Sequence, residues 1–156
     1  MMAGVRRNRN EMRTIQQLTA LHGCKLRSPF ASVLAKLGPP DKKDLSPFEP
    51  DGSRWASYVW KRATPAIAVL TWLVESGEYV WGVRIFGPGP IDLDLGFGVG
   101  SRRSSVTARC PKAAASGPDS VFQILLDGSL TVHFEGDVVR EVQLLAPMNY
   151  DPIEDT

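Results

Sequence analysis

The chain has 156 residues, 43% of them hydrophobic and 22% charged, an ordinary globular composition with length enough for one domain around a buried core. Its net charge of +1 excludes a whole-molecule electrostatic footprint for nucleic acid or an anionic membrane. Two cysteines, Cys24 and Cys110, make neither a disulfide framework nor a zinc site by themselves, so a reducing, cytoplasmic location is expected.

Arg6, Arg7, Arg9 and Arg13 crowd the beginning, and Asp151, Glu154 and Asp155 the end. Residues 1–10 read as a disordered basic lead-in, 11–147 as a single domain and 148–156 as an acidic tail. Leu21-His22-Gly23-Cys24 loosely resembles a lipoprotein cleavage site, but Gln16, Gln17, Thr19 and His22 interrupt the apolar run a signal sequence needs. The longest nearly apolar run, Ala63 to Val74, is too short to span a bilayer, and no membrane contact is expected.

From Glu11 to His22, Met12, Ile15, Leu18 and Leu21 form one stripe at helical spacing, with Asn10 as N-cap and Gly23 as stop. A second helix is signalled by Ser28 as cap, Pro29 at the first helical position, and Phe30, Val33, Leu34 and Leu37. Gly38 ends it and Pro39-Pro40 forbids continuation. Asp41 to Gly52 reads as a surface loop.

All four tryptophans fall in the next stretch, which predicts strands over 53–62, 66–74 and 79–86. With Ser76-Gly77 as a two-residue turn, Glu75 faces Glu78, Val74 faces Tyr79, Trp72 faces Trp81 and Leu70 faces Val83. That register assigns Leu70, Trp72, Val74, Tyr79, Trp81, Val83, Ile85, Trp55 and Val59 to a core face under the helices. The opposite face mixes Tyr58, Trp60, Ile67, Val69, Leu73, Val80 and Phe86 with Arg62, Arg84, Glu75 and Glu78. Aromatics beside arginines are the composition of a binding surface, with burial as a second core layer the alternative.

Between Gly87 and Asp119, Ile91, Leu93, Leu95, Phe97 and Val99 alternate with Asp92, Asp94, Gly96, Gly98 and Gly100 at strand period. Ser101 to Asp119 reads as loop, with 106–110 a short edge strand. The last segment, Ser120 to Leu145, is a second meander. A three-residue loop at Asp127-Gly128-Ser129 puts Phe122, Ile124 and Leu126 on one face with Leu130, Val132 and Phe134. A similar loop at Glu135-Gly136-Asp137 adds Val138, Val142 and Leu144, with Arg140 the exception, and Pro147 ends the ladder. The fold expected is α+β, two N-terminal helices packed on an antiparallel sheet of two β-meanders.

The catalytic inventory is thin. His133 points away from the core face beside Thr131 and Glu135, while His22 and Cys24 lack a third orienting group. Asp92 and Asp94 are an incomplete cation ligand set. The glycines from Gly96 to Gly100 before Arg102 and Arg103 suggest a phosphate loop, but Ser104 to Thr107 are not helical in pattern. Arg54, Trp55, Tyr58, Trp60, Lys61 and Arg62 fit a local nucleic-acid contact, against the neutral overall charge.

A capped helix ending in Leu37-Gly38-Pro39-Pro40, a Trp/Tyr-rich meander and a final Asp-Gly hairpin resemble small bacterial helix-plus-meander domains. These include β-lactamase-inhibitor-like modules, outer-membrane assembly lipoproteins and immunity proteins that neutralise polymorphic toxins. The resemblance implies a non-enzymatic module, with no metal or cofactor, whose sheet meets a protein partner such as a toxin through Tyr58, Trp60, Arg62, Arg84 and Phe86. The alternatives are a small-ligand or metal-dependent enzyme built on Asp92, Asp94, the Gly96 to Arg103 loop and His133, or a weak nucleic-acid binder.

Overall fold

A computed structural model describes residues 14–62, 65–87 and 89–147; the arginine-rich lead-in, the acidic tail and the first residues of the expected 11–22 helix lie outside them. Extended chain dominates. The strands are β1 (Ala20–Leu21), β2 (Cys24–Lys25), β3 (Lys42–Leu45), β4 (Arg54–Trp60), β5 (Ala66–Val74), β6 (Gly77–Phe86), β7 (Ile91–Asp92), β8 (Gly98–Val99), β9 (Ala114–Gly117), β10 (Ser120–Leu125), β11 (Gly128–Glu135) and β12 (Val138–Leu145). Two short helices, α1 (Phe30–Leu37) and α2 (Arg103–Arg109), complete the described residues. Eight strands form one antiparallel sheet in the order β3-β4-β5-β6-β12-β11-β10-β9, the two meanders being joined where Gly82–Phe86 pairs with Glu141–Leu145.

The expected α+β architecture with two N-terminal helices is therefore overturned. Residues 14–22 are not helical, because their backbone groups bond outward: Ile15 N–H donates to Arg109 O, Leu126 N–H to Gln16 O and Leu26 N–H to Thr19 O. Gly23, read as a helix stop, instead shares a two-residue hairpin turn with His22, both at positive φ (80° and 51°), which pairs Leu21 with Cys24. The apolar stripe still finds the core, since Ile15 and Leu21 are buried. The second helix forms as the sequence indicates, with Pro29 rather than Ser28 at its N-cap and Gly38 closing it. Ser28 Oγ bonds Lys25 O instead.

Both meanders form, the first displaced at its β5–β6 turn and the second at its β10–β11 turn. The β5–β6 turn is Glu75-Ser76, so Val74 pairs with Gly77, Leu73 with Glu78 and Trp72 with Tyr79. Moving a two-residue turn by one position keeps the pairing parity, so Trp72, Val74 and Tyr79 share one face with Trp55 as expected, but that face is the one away from the core. A bulge at Trp81 then reverses the facing of the rest of β6, pairing Leu70 with Gly82 and Val69 with Val83, so Val83 and Ile85 are in the core as read from the sequence while Leu70, expected beside them, is on the other face. Likewise β10 and β11 are joined by Leu126-Asp127, pairing Leu125 with Gly128. A Cβ on Gly128 would lie 2.2 Å from Leu145 O, so the first position of β11 requires glycine. The shift sends Leu125 inward with Leu130 and Val132, and leaves Ile124 76% and Leu126 73% exposed. At the β11–β12 turn a two-residue connection plus a bulge brings Val142 and Leu144 inside as expected, with Val139 buried in place of Val138.

One face of the sheet carries Tyr58, Trp60, Ile67, Val69, Val80, Val83, Ile85, Leu130, Val132, Val142 and Leu144, all buried. Over it lie residues 14–29, α1, the 91–100 loop and α2, which supply Ile15, Leu21, Phe30, Leu93, Phe97 and Val106 to the same core. The 91–99 alternation holds in burial but not in strand: the segment folds back so that Ile91 pairs with Val99 and Asp92 with Gly98, with Asp94 and Gly96 at positive φ. β3 forms within the 41–52 stretch read as loop, and the 101–119 stretch, read as loop with a short edge strand at 106–110, instead contains α2 and β9. Its serines and threonine favour helix poorly; tertiary ties hold α2, with Arg103 Nη2 donating to Gly136 O, the Arg103 guanidinium 4.0 Å from the centre of the Phe134 ring, and Val106 buried.

Candidate functional site

The residues expected to meet a partner divide between the two faces. Tyr58 and Trp60 are 6% and 3% exposed, so their expected place on a solvent-facing surface is incorrect. Phe30 of α1 stacks on the Tyr58 ring at 4.2 Å, and Trp60 Nε1 donates to Gly38 O. The Tyr58 hydroxyl donates to Glu78 Oε2 at 2.6 Å, and Thr71 Oγ1, fully buried, donates to the same oxygen. Burial, and then this hydrogen bond, push the Tyr58 hydroxyl well above the ordinary tyrosine range. This network ties three strands together beneath α1.

Arg62 lies past the end of β4, its guanidinium 3.6 Å from Asp41 and its side chain 91% exposed. Asp41 also accepts the backbone N–H groups of Lys61 and Arg62, which hold its carboxyl below the usual range. Arg84 and Phe86 lie on the second face, the one away from the core. Pairing places Trp55 with Trp72, Val59 with Ala68, Leu70 with Gly82, Gln143 with both Arg84 and Thr131, and Glu141 with both Phe86 and His133 on that face. At the β10 end Phe122 and Ile124 extend it.

Most side chains on this second face keep partial exposure, and Arg84 and Ile124 are exposed. Trp72 is the large exception, its ring 4.3 Å from that of Trp55. The charges at the centre are matched. Arg84 Nε and Nη2 donate to the two oxygens of Glu141 at 2.9 and 3.1 Å, and His133 Nε2 lies 3.9 Å from the same carboxylate. The Glu141 bond raises the Arg84 pKa further above its ordinary value. Lys42 and Asp44, on the same side of β3, are 3.8 Å apart. The surface is thus an apolar and aromatic sheet face crossed by an internally neutralised polar strip.

The chain matches no family model, no curated protein and no solved structure.

The enzymatic alternative loses its parts in this arrangement. Asp92 and Asp94 border a shallow cavity with His22, Leu93 and Leu95, whereas His133 sits on the sheet beside Glu141, and none of the cavities described joins them. Asp92 Oδ1 accepts the Asp94 backbone N–H, the local turn that sets this loop. No metal-sized group of three or more His, Cys, Asp or Glu occurs among the described residues. A helix does follow the glycine run, contrary to the sequence pattern, but the amides there are committed: Gly98 N–H to Ser101 Oγ, Arg103 N–H to Asp137 O and Ser105 N–H to Arg102 O. Cys24 and Cys110 are both buried, and burial raises both thiols, that of Cys110 to about 11. A nucleophile needs the opposite shift.

The nucleic-acid alternative needs free cations beside exposed aromatics. Tyr58 and Trp60 are in the core, Arg54 packs over the Phe48 ring at 4.3 Å, Arg62 is held by Asp41 and Arg84 by Glu141. No described helix is long and apolar enough to cross a membrane.

Sequence reasoning missed Trp55, Leu70, Phe122 and Ile124 as surface. The signal was present in Ile124 and Leu126: a two-residue turn at Leu126-Asp127 exposes both, and the Gly at 128 is what that turn needs.

Proposed function

We propose that this is a non-enzymatic protein-binding module that docks a globular protein partner on the second face of its sheet. The observation that carries the reading is the combination on that face: partly exposed apolar and aromatic side chains on β4, β5, β6, β10 and β12, with the Arg84, Glu141 and His133 charges at its centre grouped together. Burying such a face gains apolar contact without stranding an unpaired charge. The anchors are Trp55, Leu70, Phe86, Phe122 and Ile124, with Arg84 and Glu141 setting orientation as a fixed pair. A neutral face also favours protein over nucleic acid, because no counterions are released when it is covered.

The concrete form of this proposal is an immunity-type inhibitor that occludes a bacterial toxin in the cytoplasm. The test is titration calorimetry of the purified protein against the product of a toxin-bearing reading frame found next to its gene, and the absence of any such frame would remove the immunity form of the proposal. Binding that changes little with salt, and that Phe86→Ala and Ile124→Asp each weaken tenfold or more, is expected. Lys25→Ala, on the exposed outside of the layer over the core, leaves affinity unchanged. Affinity insensitive to both face substitutions, or a steep salt dependence, would sink the proposal.

A further inference from the structure

Glu78 is a held carboxylate whose charge no described residue answers. Its Oε2 accepts the Tyr58 and Thr71 hydroxyls, each at 2.6 Å, which fixes the group in one orientation. The second oxygen, Oε1, is bonded to no described residue and keeps solvent access. No salt bridge among the described residues involves Glu78. Two cations of the neighbouring strands are turned to rings instead, Arg54 over Phe48 at 4.3 Å and Lys43 over Tyr58 at 5.5 Å. A half-buried carboxylate is thereby fixed with its charge uncompensated, a cost that a bound cation would offset.

Glu78 lines a cleft of about 410 Å³ between α1 and the tip of the β5–β6 hairpin, within the size range of small-ligand sites. Phe30, Ala31 and Leu34 supply an apolar wall, and Gly77, Glu78 and Tyr79 face it from the hairpin. Leu34 is 37% exposed, so that wall is open to a ligand. Ser76 Oγ and the Tyr79 hydroxyl, 3.1 Å apart, also belong to the lining. One of the two donates to the other, and both oxygens retain lone pairs. The cleft therefore sets an apolar wall against acceptors and one negative charge.

We propose that this cleft binds a primary alkylammonium group, the chemistry shared by a free aliphatic amine and a lysine side chain. The ammonium donates one N–H to Glu78 Oε1 and has two more for the Ser76 and Tyr79 oxygens or water. Its methylene stem lies against Phe30 and Leu34. An anion is repelled by Glu78, and a neutral alcohol leaves the charge uncompensated. The Tyr58 and Thr71 hydroxyls already orient the acceptor, so little ordering is needed on binding.

Amide NMR of the isotope-labelled full chain tests this without a partner protein. The chain is titrated at constant ionic strength with n-butylammonium chloride, with N-acetyl-lysine N-methylamide and with n-butanol. Saturable shifts of the Ala31, Gly77 and Glu78 amides by at least one of the amines are expected, with a dissociation constant on the order of 1 mM, and n-butanol moves none of them. Response to butylammonium alone assigns the site to a free amine, and response to the blocked lysine assigns it to a lysine of a protein. Glu78→Gln, which keeps an acceptor for the two hydroxyls but removes the charge, weakens binding tenfold or more. Ala31→Trp, at an exposed position of α1, fills the cleft and also weakens binding tenfold or more, with a melting curve matching the wild type; it serves whether or not the Glu78 variant folds. Phe86→Ala leaves binding unchanged, which separates this cleft from the face proposed to bind a partner. No saturable shift with either amine, an equal response to n-butanol, or undiminished binding by folded Glu78→Gln or Ala31→Trp protein overturns the proposal.

Discussion

Along β4, Ala56, Tyr58 and Trp60 alternate with Trp55, Ser57 and Val59, and both sets are largely apolar. Hydrophobicity does not distinguish them. What differs is the company each set keeps: the first meets Phe30, the Glu78 carboxylate and the α1 C-terminus, whereas the second pairs with Trp72, Leu70 and Ala68 on its own face. A two-sided apolar strand becomes one-sided through the segments that close over it, and the other side is the face proposed to bind.

The largest test of that difference compares two tryptophans. Trp60→Ala removes a buried ring and its bond to Gly38 O, and is expected to cost about 3–5 kcal/mol in urea unfolding. Trp55→Ala, on the half-exposed side, is expected to cost about 1 kcal/mol. Equal losses would erase the distinction between the faces. Next is Glu78→Ala, which strands the Tyr58 and Thr71 hydroxyls and should cost about 1–3 kcal/mol; a double-mutant cycle with Tyr58→Phe should show the two changes to be non-additive.

Smaller effects come from titration. The Cys110 thiol is raised to about 11 by burial, so its native state holds the proton more tightly than the unfolded chain. Its contribution is complete below the ordinary thiol range near ~8.5 and is lost as pH rises through about 11. Cys110→Ala should flatten stability against pH in that window, and native Cys110 should resist alkylation at pH 8. Asp41 has the opposite sign: its depressed carboxyl contributes above the ordinary carboxylate range and loses that contribution as pH falls through its folded value, so Asp41→Asn should reduce the acid-side slope. Smallest is Arg84→Ala, expected to change stability by about 0.2–1 kcal/mol because the pair is half-exposed. Its effect on partner affinity should be larger than that.

Much of the sheet was legible in the sequence. The strands of the two meanders, their antiparallel pairing and the α1 helix follow from apolar period and from Gly and Pro placement, whereas β3, in a stretch read as loop, and the helix over 103–109, where an edge strand was expected, do not. Facing was legible only in part. Ser76-Gly77 looks like a two-residue turn and Asp127-Gly128-Ser129 like a three-residue loop, but in both hairpins the glycine opens the following strand after a two-residue turn; at β10–β11 the lost loop residue exchanges core for surface, whereas at β5–β6 the exchange within β6 comes from the Trp81 bulge. The bulges at Trp81 and near Arg140 undo or mimic such shifts, and no local pattern announces them. The N-terminal stripe failed for a different reason: Ile15 and Leu21 suit a helix and an extended segment equally, and bonds to Arg109 and Leu126, remote in sequence, decide between them. Among site residues, Arg84 and Phe86 were placed on the outward face because the Trp81 bulge corrected their register, while Tyr58 and Trp60 had no such correction.

The most direct test uses two adjacent small residues of β4. Ala56→Cys and Ser57→Cys are each introduced alone, with Cys24 and Cys110 buried in the background, and native-state labelling by a thiol reagent is timed. Ala56 faces the core at 4% exposure and Ser57 faces the second side of the sheet. Ser57→Cys should label at least a hundredfold faster than Ala56→Cys. Faster labelling at position 56 would mean that Tyr58 and Trp60 face solvent after all, and would contradict the assignment of the binding face.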